Sequence, residues 1–209
     1  MSGPNTMGGE RPRNEHDFYA TPPALARAIC AKLRETLGTP TTVIEPSAGD
    51  GAFVRAAAAT WLTTPIFAVE PNIGHAAATD EMAIWSAATW ESFEWSTVPD
   101  TIGPMLIVGN PPFPKAEAHV RLALQRLGRS SSGGTRHVAF LLRASFLAGT
   151  ARVGGIWREH PPRYVWHIAP RPSFTSDGKT DGAEYAVIVW KTGWIGPYEG
   201  GWLTWSRGE

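Results

Sequence analysis

Apolar positions along the chain change period several times, and each change marks an element. Leu25, Ile29, Cys30 and Leu33 recur at helical spacing behind Thr21-Pro22-Pro23. A helix is predicted there, capped by Thr21, entered through Pro22, and closed by Gly38 with Pro40 beyond. Thr41 to Glu45 is a short β-branched run, and Pro65 to Glu70, Ala83 to Trp85 and Thr101 to Val108 predict three more strands. His137 to Leu142 is wholly apolar, and Tyr164 to Ile168 and Tyr185 to Trp190 follow as strands. Between them lie an Ala-rich helix over Val54–Ala59, a helical stretch over residues 74–83 and a helix to about Glu159. An amphipathic helix over Lys115–Leu127 places Ala118, Leu122 and Leu124 toward the core. Uninterrupted apolar strands alternating with helical patterns predict an α/β fold, with a mostly parallel sheet covered on both faces.

Residues 1–14 are rich in Gly, Pro and Arg and predict a disordered leader. One domain is expected over residues 15–192, with residues 193–209 a Trp- and Gly-rich extension packed on it, an extra small hairpin at most.

The candidate chemistry sits where strands end. Thr41 to Glu45 runs into Glu45-Pro46-Ser47-Ala48-Gly49-Asp50-Gly51-Ala52-Phe53 and then into a helix. Strand, glycine loop and helix form a nucleotide-binding arrangement, in which glycine lets the backbone approach a ligand. The dinucleotide fingerprint is absent, because the third glycine is missing and both Glu45 and Asp50 are acidic. A pyrophosphate does not suit such a loop. Carboxylates suit a cation, such as an α-ammonium beside a sulfonium, which points to S-adenosyl-L-methionine. Glu70 ends the next strand 25 residues past Glu45, close to the spacing of a carboxylate that binds ribose hydroxyls. Leu106-Ile107-Val108-Gly109 leads into Asn110-Pro111-Pro112-Phe113. The two prolines stop the ladder and fix the chain stiffly. An amide oxygen, a carbonyl and an aromatic face at one edge can grip a planar group by its NH₂. The plain alternative is a strand-ending turn with a buried asparagine.

Together Tyr19-Ala20-Thr21-Pro22-Pro23, the run Val43 to Phe53, Val69-Glu70-Pro71-Asn72 and Asn110-Pro111-Pro112-Phe113 resemble the adenine-N6 DNA methyltransferases. Their order resembles that of the γ-type enzymes, and the match covers roughly the first half of the chain. The resemblance implies a Rossmann-like class I methyltransferase fold, with a seven-stranded, mostly parallel sheet, helices on both faces and a terminal antiparallel hairpin. It implies that Tyr19, Thr21, Pro22, Glu45 and the loop through Pro46, Ser47, Ala48, Gly49, Gly51 and Phe53 contact S-adenosylmethionine. Glu70 with Pro71 would hold the ribose. Asn110, Pro111, Pro112 and Phe113 would hold the target base, with Asn110 also reaching the cofactor. The family places an Asp and an aromatic residue after the third strand to read the cofactor adenine. Here Thr89-Trp90 stands in that place, which departs from the pattern.

Composition narrows the alternatives. A hydrophobic content of 43% with 18% charged residues describes an ordinary globular protein. No apolar run is long enough to span a bilayer and no signal peptide opens the chain, so a cytoplasmic protein without a membrane partner is expected. Cys30 is the single cysteine, and no histidine spacing matches a metal motif, so no metal is expected. Net charge is zero but uneven. Residues 1–111 carry six Lys/Arg against twelve Asp/Glu, and residues 112–209 carry thirteen against seven. The basic second half offers Lys115, Arg143, Arg171 and Lys179 as contacts to DNA, or alternatively RNA. Phe174 would fill the gap left by a flipped base. Three of these residues lie in the long loop Ala169 to Glu184, which resembles the substrate-facing loop of methyltransferase folds. No dedicated recognition domain is visible, and oligomeric state is not legible. The expected reaction is methyl transfer to adenine N6 in DNA. Alternatives are methylation of RNA or of a protein glutamine amide, and a catalytically inactive nucleic-acid-binding relic. A nicotinamide oxidoreductase is disfavoured by the missing glycine.

Overall fold

The computed structural model describes residues 20–72, 74, 80–99, 102–128, 133–174, 180 and 182–207. The expected leader, Tyr19 and Lys179 lie outside the described residues, as does half of the stretch 74–83.

Eight strands form one sheet in the order β3-β2-β1-β4-β5-β7-β6-β8. They are β1 (Thr42–Glu45), β2 (Ile66–Val69), β3 (Ile84–Ser86), β4 (Met105–Gly109), β5 (Arg136–Arg143), β6 (Tyr164–Ala169), β7 (Tyr185–Lys191) and β8 (Glu199–Thr204). The first five run parallel to their neighbours, and β7 is antiparallel to both β5 and β6. The sheet thus has one strand more than the seven expected. The extra one is β8, which pairs parallel with β6 from Tyr164↔Glu199 to Ala169↔Thr204. The terminal stretch is therefore not a separate hairpin. Among the described residues of that stretch only Leu203 and Trp205 are buried, and Trp205 donates from Nε1 to the Pro170 carbonyl at 2.8 Å.

Successive residues of each strand enter opposite cores, as the two-residue period requires. Val43, Leu106, Val108, Ala139 and Leu141 face the core formed with α1 (Pro23–Leu37) and α2 (Ala52–Thr60). Ile44, Ile107, Val138, Phe140 and Leu142 face the other core, closed by α3 (Ala116–Gly128). In α1 the buried residues are Leu25, Ala26, Ile29, Cys30 and Leu33, one helical stripe. Burying each Leu or Ile there contributes roughly 1.5–3 kcal/mol. Two short helices, α4 (Thr150–Gly154) and α5 (Ile156–Glu159), replace the single helix expected before β6.

Two local expectations change. Thr21 does not cap α1, since Pro22 holds that position and no side chain bonds there. In α3 the inward residues are Ala116, His119, Val120, Ala123, Leu124 and Leu127. Ala118 is exposed and Leu122 half-buried. The helix is phased by the 3-10 turn Phe113–Lys115 that leads into it.

Candidate active site

The carboxyl ends of β1, β2 and β4 open onto one cleft. Its walls are Thr21, Ser47, Ala48, Gly49, Asp50, Ala52, Phe53, Glu70 and the whole run Asn110 to Phe113. Open α/β sheets place ligands at this edge. Ten residues singled out in the sequence thus meet here. Asp50 and Ala52 were not among the named contacts, although both belong to the glycine loop.

The loop is held by backbone hydrogen bonds to carboxylates. Glu70 accepts the Gly49 N–H on Oε2 at 2.9 Å and the Asn72 N–H on Oε1 at 3.0 Å. Asp50 accepts the Ala52 N–H at 3.2 Å as α2 begins. Gly51, with φ at 81°, takes the left-handed turn that starts this helix.

Glu45 is placed apart from the cleft walls. It lies beneath the loop, fully buried, and Oε1 accepts the Ser47 N–H at 3.1 Å. Burial raises its pKa well above the ordinary carboxylate value; the Ser47 N–H opposes that and the Glu70 charge adds to it. Its carboxyl is not among the groups that wall the cleft, and through Ser47 it holds the start of the loop. The approach of β4 is tight here, because a Cβ at Gly109 would collide with the Glu45 carboxyl.

Thr21 and Asn110, 89 residues apart, are joined by an Asn110 Nδ2 donation to Thr21 Oγ1 at 3.1 Å. This bond is what Thr21 does in place of capping. Pro111 is buried, and Phe113 packs its ring 5.6 Å from Tyr185 and 6.1 Å from Phe174. The Arg143 guanidinium lies over the same ring, 5.0 Å from its centre. Phe174 is therefore part of the wall behind Phe113. Arg171 is exposed and paired with Glu184 at 3.2 Å, and Lys115 is exposed beside Phe113.

Pro22, Pro46, Gly51 and Pro71 neighbour the cleft in sequence without walling it. Thr89 and Trp90 do not wall it either. Trp90 is 2% exposed, stacked on Phe93 and covered by the Arg126 guanidinium at 4.2 Å. Its Nε1 donates to the His119 carbonyl at 3.4 Å. A large indole recovers more by this burial than by standing at a rim. The residue that sequence reasoning missed is His119, whose Nε2 lies 3.1 Å from Ser47 Oγ. No histidine spacing could reveal it, since its partner is 72 residues away. Among the described residues no cluster of three metal-ligating side chains occurs, and no helix is long and apolar enough to cross a membrane.

No protein-family model and no curated protein matches the chain. Solved structures do. A modification subunit assigned to a type I restriction enzyme of Vibrio vulnificus matches with TM-score 0.57 and 15% identity, over 88% of this chain and 46% of its own. This chain thus spans less than half the length of that subunit. The 23S rRNA methyltransferase ErmE matches with TM-score 0.55 and 15% identity, over 79% of this chain and 67% of its own. A Listeria monocytogenes protein assigned as a class I S-adenosylmethionine-dependent methyltransferase matches with TM-score 0.61 and 10% identity, over 90% of this chain and 67% of its own. Likeness at such identities speaks for the fold, and the fold is the Rossmann-like one of the class I methyltransferases.

Proposed function

We propose that the chain is an S-adenosylmethionine-dependent methyltransferase acting on the N6 amine of adenine in DNA. One observation carries this reading. The glycine loop, Glu70, Thr21 and Asn110-Pro111-Pro112-Phe113, far apart in sequence, wall a single cleft. The cleft also fits the cofactor. Glu70 offers a carboxylate beside the Gly49 backbone, suited to ribose hydroxyls, and the loop Ser47 to Asp50 offers backbone close to a ligand. When bound, S-adenosylmethionine supplies an electrophilic methyl group on a sulfonium.

The chain's own part is positioning. An exocyclic amine is a poor nucleophile because its lone pair is delocalised into the ring. Asn110 Oδ1 and the Pro111 carbonyl each accept one N6 hydrogen and steer the nitrogen toward a tetrahedral shape. Phe113 stacks on the base, which must leave the duplex to reach the cleft. Orientation and electrostatics suffice, with no strong base.

Asn110→Ala tests the assignment. Methyl transfer should fall on the order of 10²-fold or more, by analogy with loss of one oriented group in an oxyanion hole. Affinity for S-adenosylhomocysteine should fall by no more than about tenfold, the loss of one neutral hydrogen bond at most. A variant that methylates at the wild-type rate reduces the motif to a strand-ending turn.

A further inference from the structure

We propose that His119 is a positioning residue for the cofactor side of the cleft: it holds the Ser47 hydroxyl so that its oxygen faces the ligand as an acceptor. The inference rests on the cofactor reading above and extends it to a residue on α3.

The geometry fixes the proton. His119 Nδ1 lies 3.2 Å from the Lys115 carbonyl, one turn earlier in the chain. A carbonyl only accepts, so Nδ1 carries the hydrogen. In the neutral ring Nε2 is then bare, and Nε2 is the atom 3.1 Å from Ser47 Oγ. The Ser47 hydroxyl must therefore donate to His119. Its hydrogen is committed to α3, and its remaining lone pairs are left for the cleft, which Ser47 walls.

The surroundings keep this arrangement in place. His119 is 4% exposed, and burial lowers its pKa. The Glu91 charge and the Lys115 carbonyl oppose that shift, while the Lys115 ammonium adds to it. The ring is neutral where it sits. The backbone of Ser47 is pinned independently, by its N–H to Glu45 Oε1. One residue is thus fixed twice, its amide from below by β1 and its hydroxyl from the side by α3. A serine held in this way takes an N–H or O–H donor from the ligand, either the α-ammonium of the methionyl part or a hydroxyl of the ribose. Without His119 the hydroxyl rotates freely and can turn its hydrogen toward the same donor.

Isothermal titration with S-adenosylhomocysteine tests the proposal on the full chain. His119→Leu and Ser47→Ala should each weaken binding by about tenfold, the effect of one oriented hydrogen bond. The double variant should be no weaker than Ser47→Ala alone, because both remove the same interaction. His119→Gln, which returns an amide oxygen near Nε2, should recover binding to within roughly threefold of wild type. Repeating the series with 5′-methylthioadenosine separates the donors. A loss that vanishes with this ligand assigns the ammonium, and one that persists assigns the ribose. Nitrogen-15 shifts of the wild-type ring should report Nδ1 protonated and Nε2 bare, a result that needs no variant to fold. The opposite tautomer overturns the proposal. So does wild-type affinity in His119→Leu, or additive losses in the double variant. A wild-type protein that binds neither ligand overturns the cofactor reading together with it, whereas binding that ignores His119 overturns this proposal alone.

Discussion

The two sides of the cleft are built from different materials. On the side of β1 and β2, polar groups hold backbone in place. Glu70 accepts two N–H groups, Glu45 accepts one, and the glycine loop follows the shape they impose. On the side of β4, β5 and β7, rings hold one another. Phe113, Phe174 and Tyr185 form a cluster with centroids 4.8 to 6.1 Å apart, and Arg143 covers Phe113. A hydrogen-bonded loop has one working geometry, while packed rings tolerate small shifts. The difference matches the division of labour proposed here, with a fixed cofactor on one side and a base that enters and leaves on the other.

The largest effect that can break this comparison comes from Glu70. Glu70→Ala removes a carboxylate that organises the loop and, on the proposal, two ribose contacts. At about 1.5–3 kcal/mol per charge-assisted bond, cofactor affinity should fall by about 100-fold or more. Calorimetric titration decides, and unchanged affinity with the fold intact by circular dichroism removes Glu70 from the site.

Glu45 sharpens the comparison, because it lies on the same side, beneath the loop and outside the cleft walls. Its folded pKa lies above the ordinary carboxylate value, so between the two values the folded chain holds a proton that the unfolded chain has lost. Stability from this group therefore falls as pH rises above that lower value. Glu45→Gln keeps an oxygen for the Ser47 N–H and removes the titration. The variant should gain stability over wild type by up to about 1.4 kcal/mol per pH unit within that window. Urea unfolding at several pH values measures it, and a gap that does not widen with pH shows that Glu45 is ionised.

The smallest effect belongs to the acceptor side. Arg171 is exposed and tied only loosely to Glu184. Arg171→Glu should weaken DNA binding a fewfold and make the salt slope shallower by about one, with cofactor affinity untouched. A slope that does not move places the DNA elsewhere.

What the sequence revealed follows the same division. The glycine loop, the strand ends at Glu45 and Glu70 and the Asn-Pro-Pro-Phe run are local signals, each complete within a few residues. Apolar runs likewise gave β1, β2, β3, β5, β6 and β7 to within about a residue of their ends, whereas β4 begins at Met105 and not at the expected Thr101. Residues whose role depends on a distant partner stayed hidden. Thr21 looks like a helix cap until Asn110 is brought beside it. Trp90 looks available until Arg126 of α3 covers it. The inward phase of His119 is set by Ser47 and by the turn before α3, so a pattern of apolar residues misplaced Ala118. Strand β8 escaped notice because Gly200, Gly201 and an exposed Trp202 give no alternating apolar signal.

The most direct test of the central claim is the identity of the methylated product. The protein is incubated with S-adenosylmethionine carrying a labelled methyl group, alongside duplex DNA, RNA and a protein extract in separate reactions. Each product is then digested to its monomers and resolved by mass. The account predicts label in N6-methyldeoxyadenosine from DNA, reduced on the order of 10²-fold or more when Asn110→Ala replaces the wild type. Label in a ribonucleoside or in glutamine alone, in another deoxynucleoside, or in none of the three pools contradicts it.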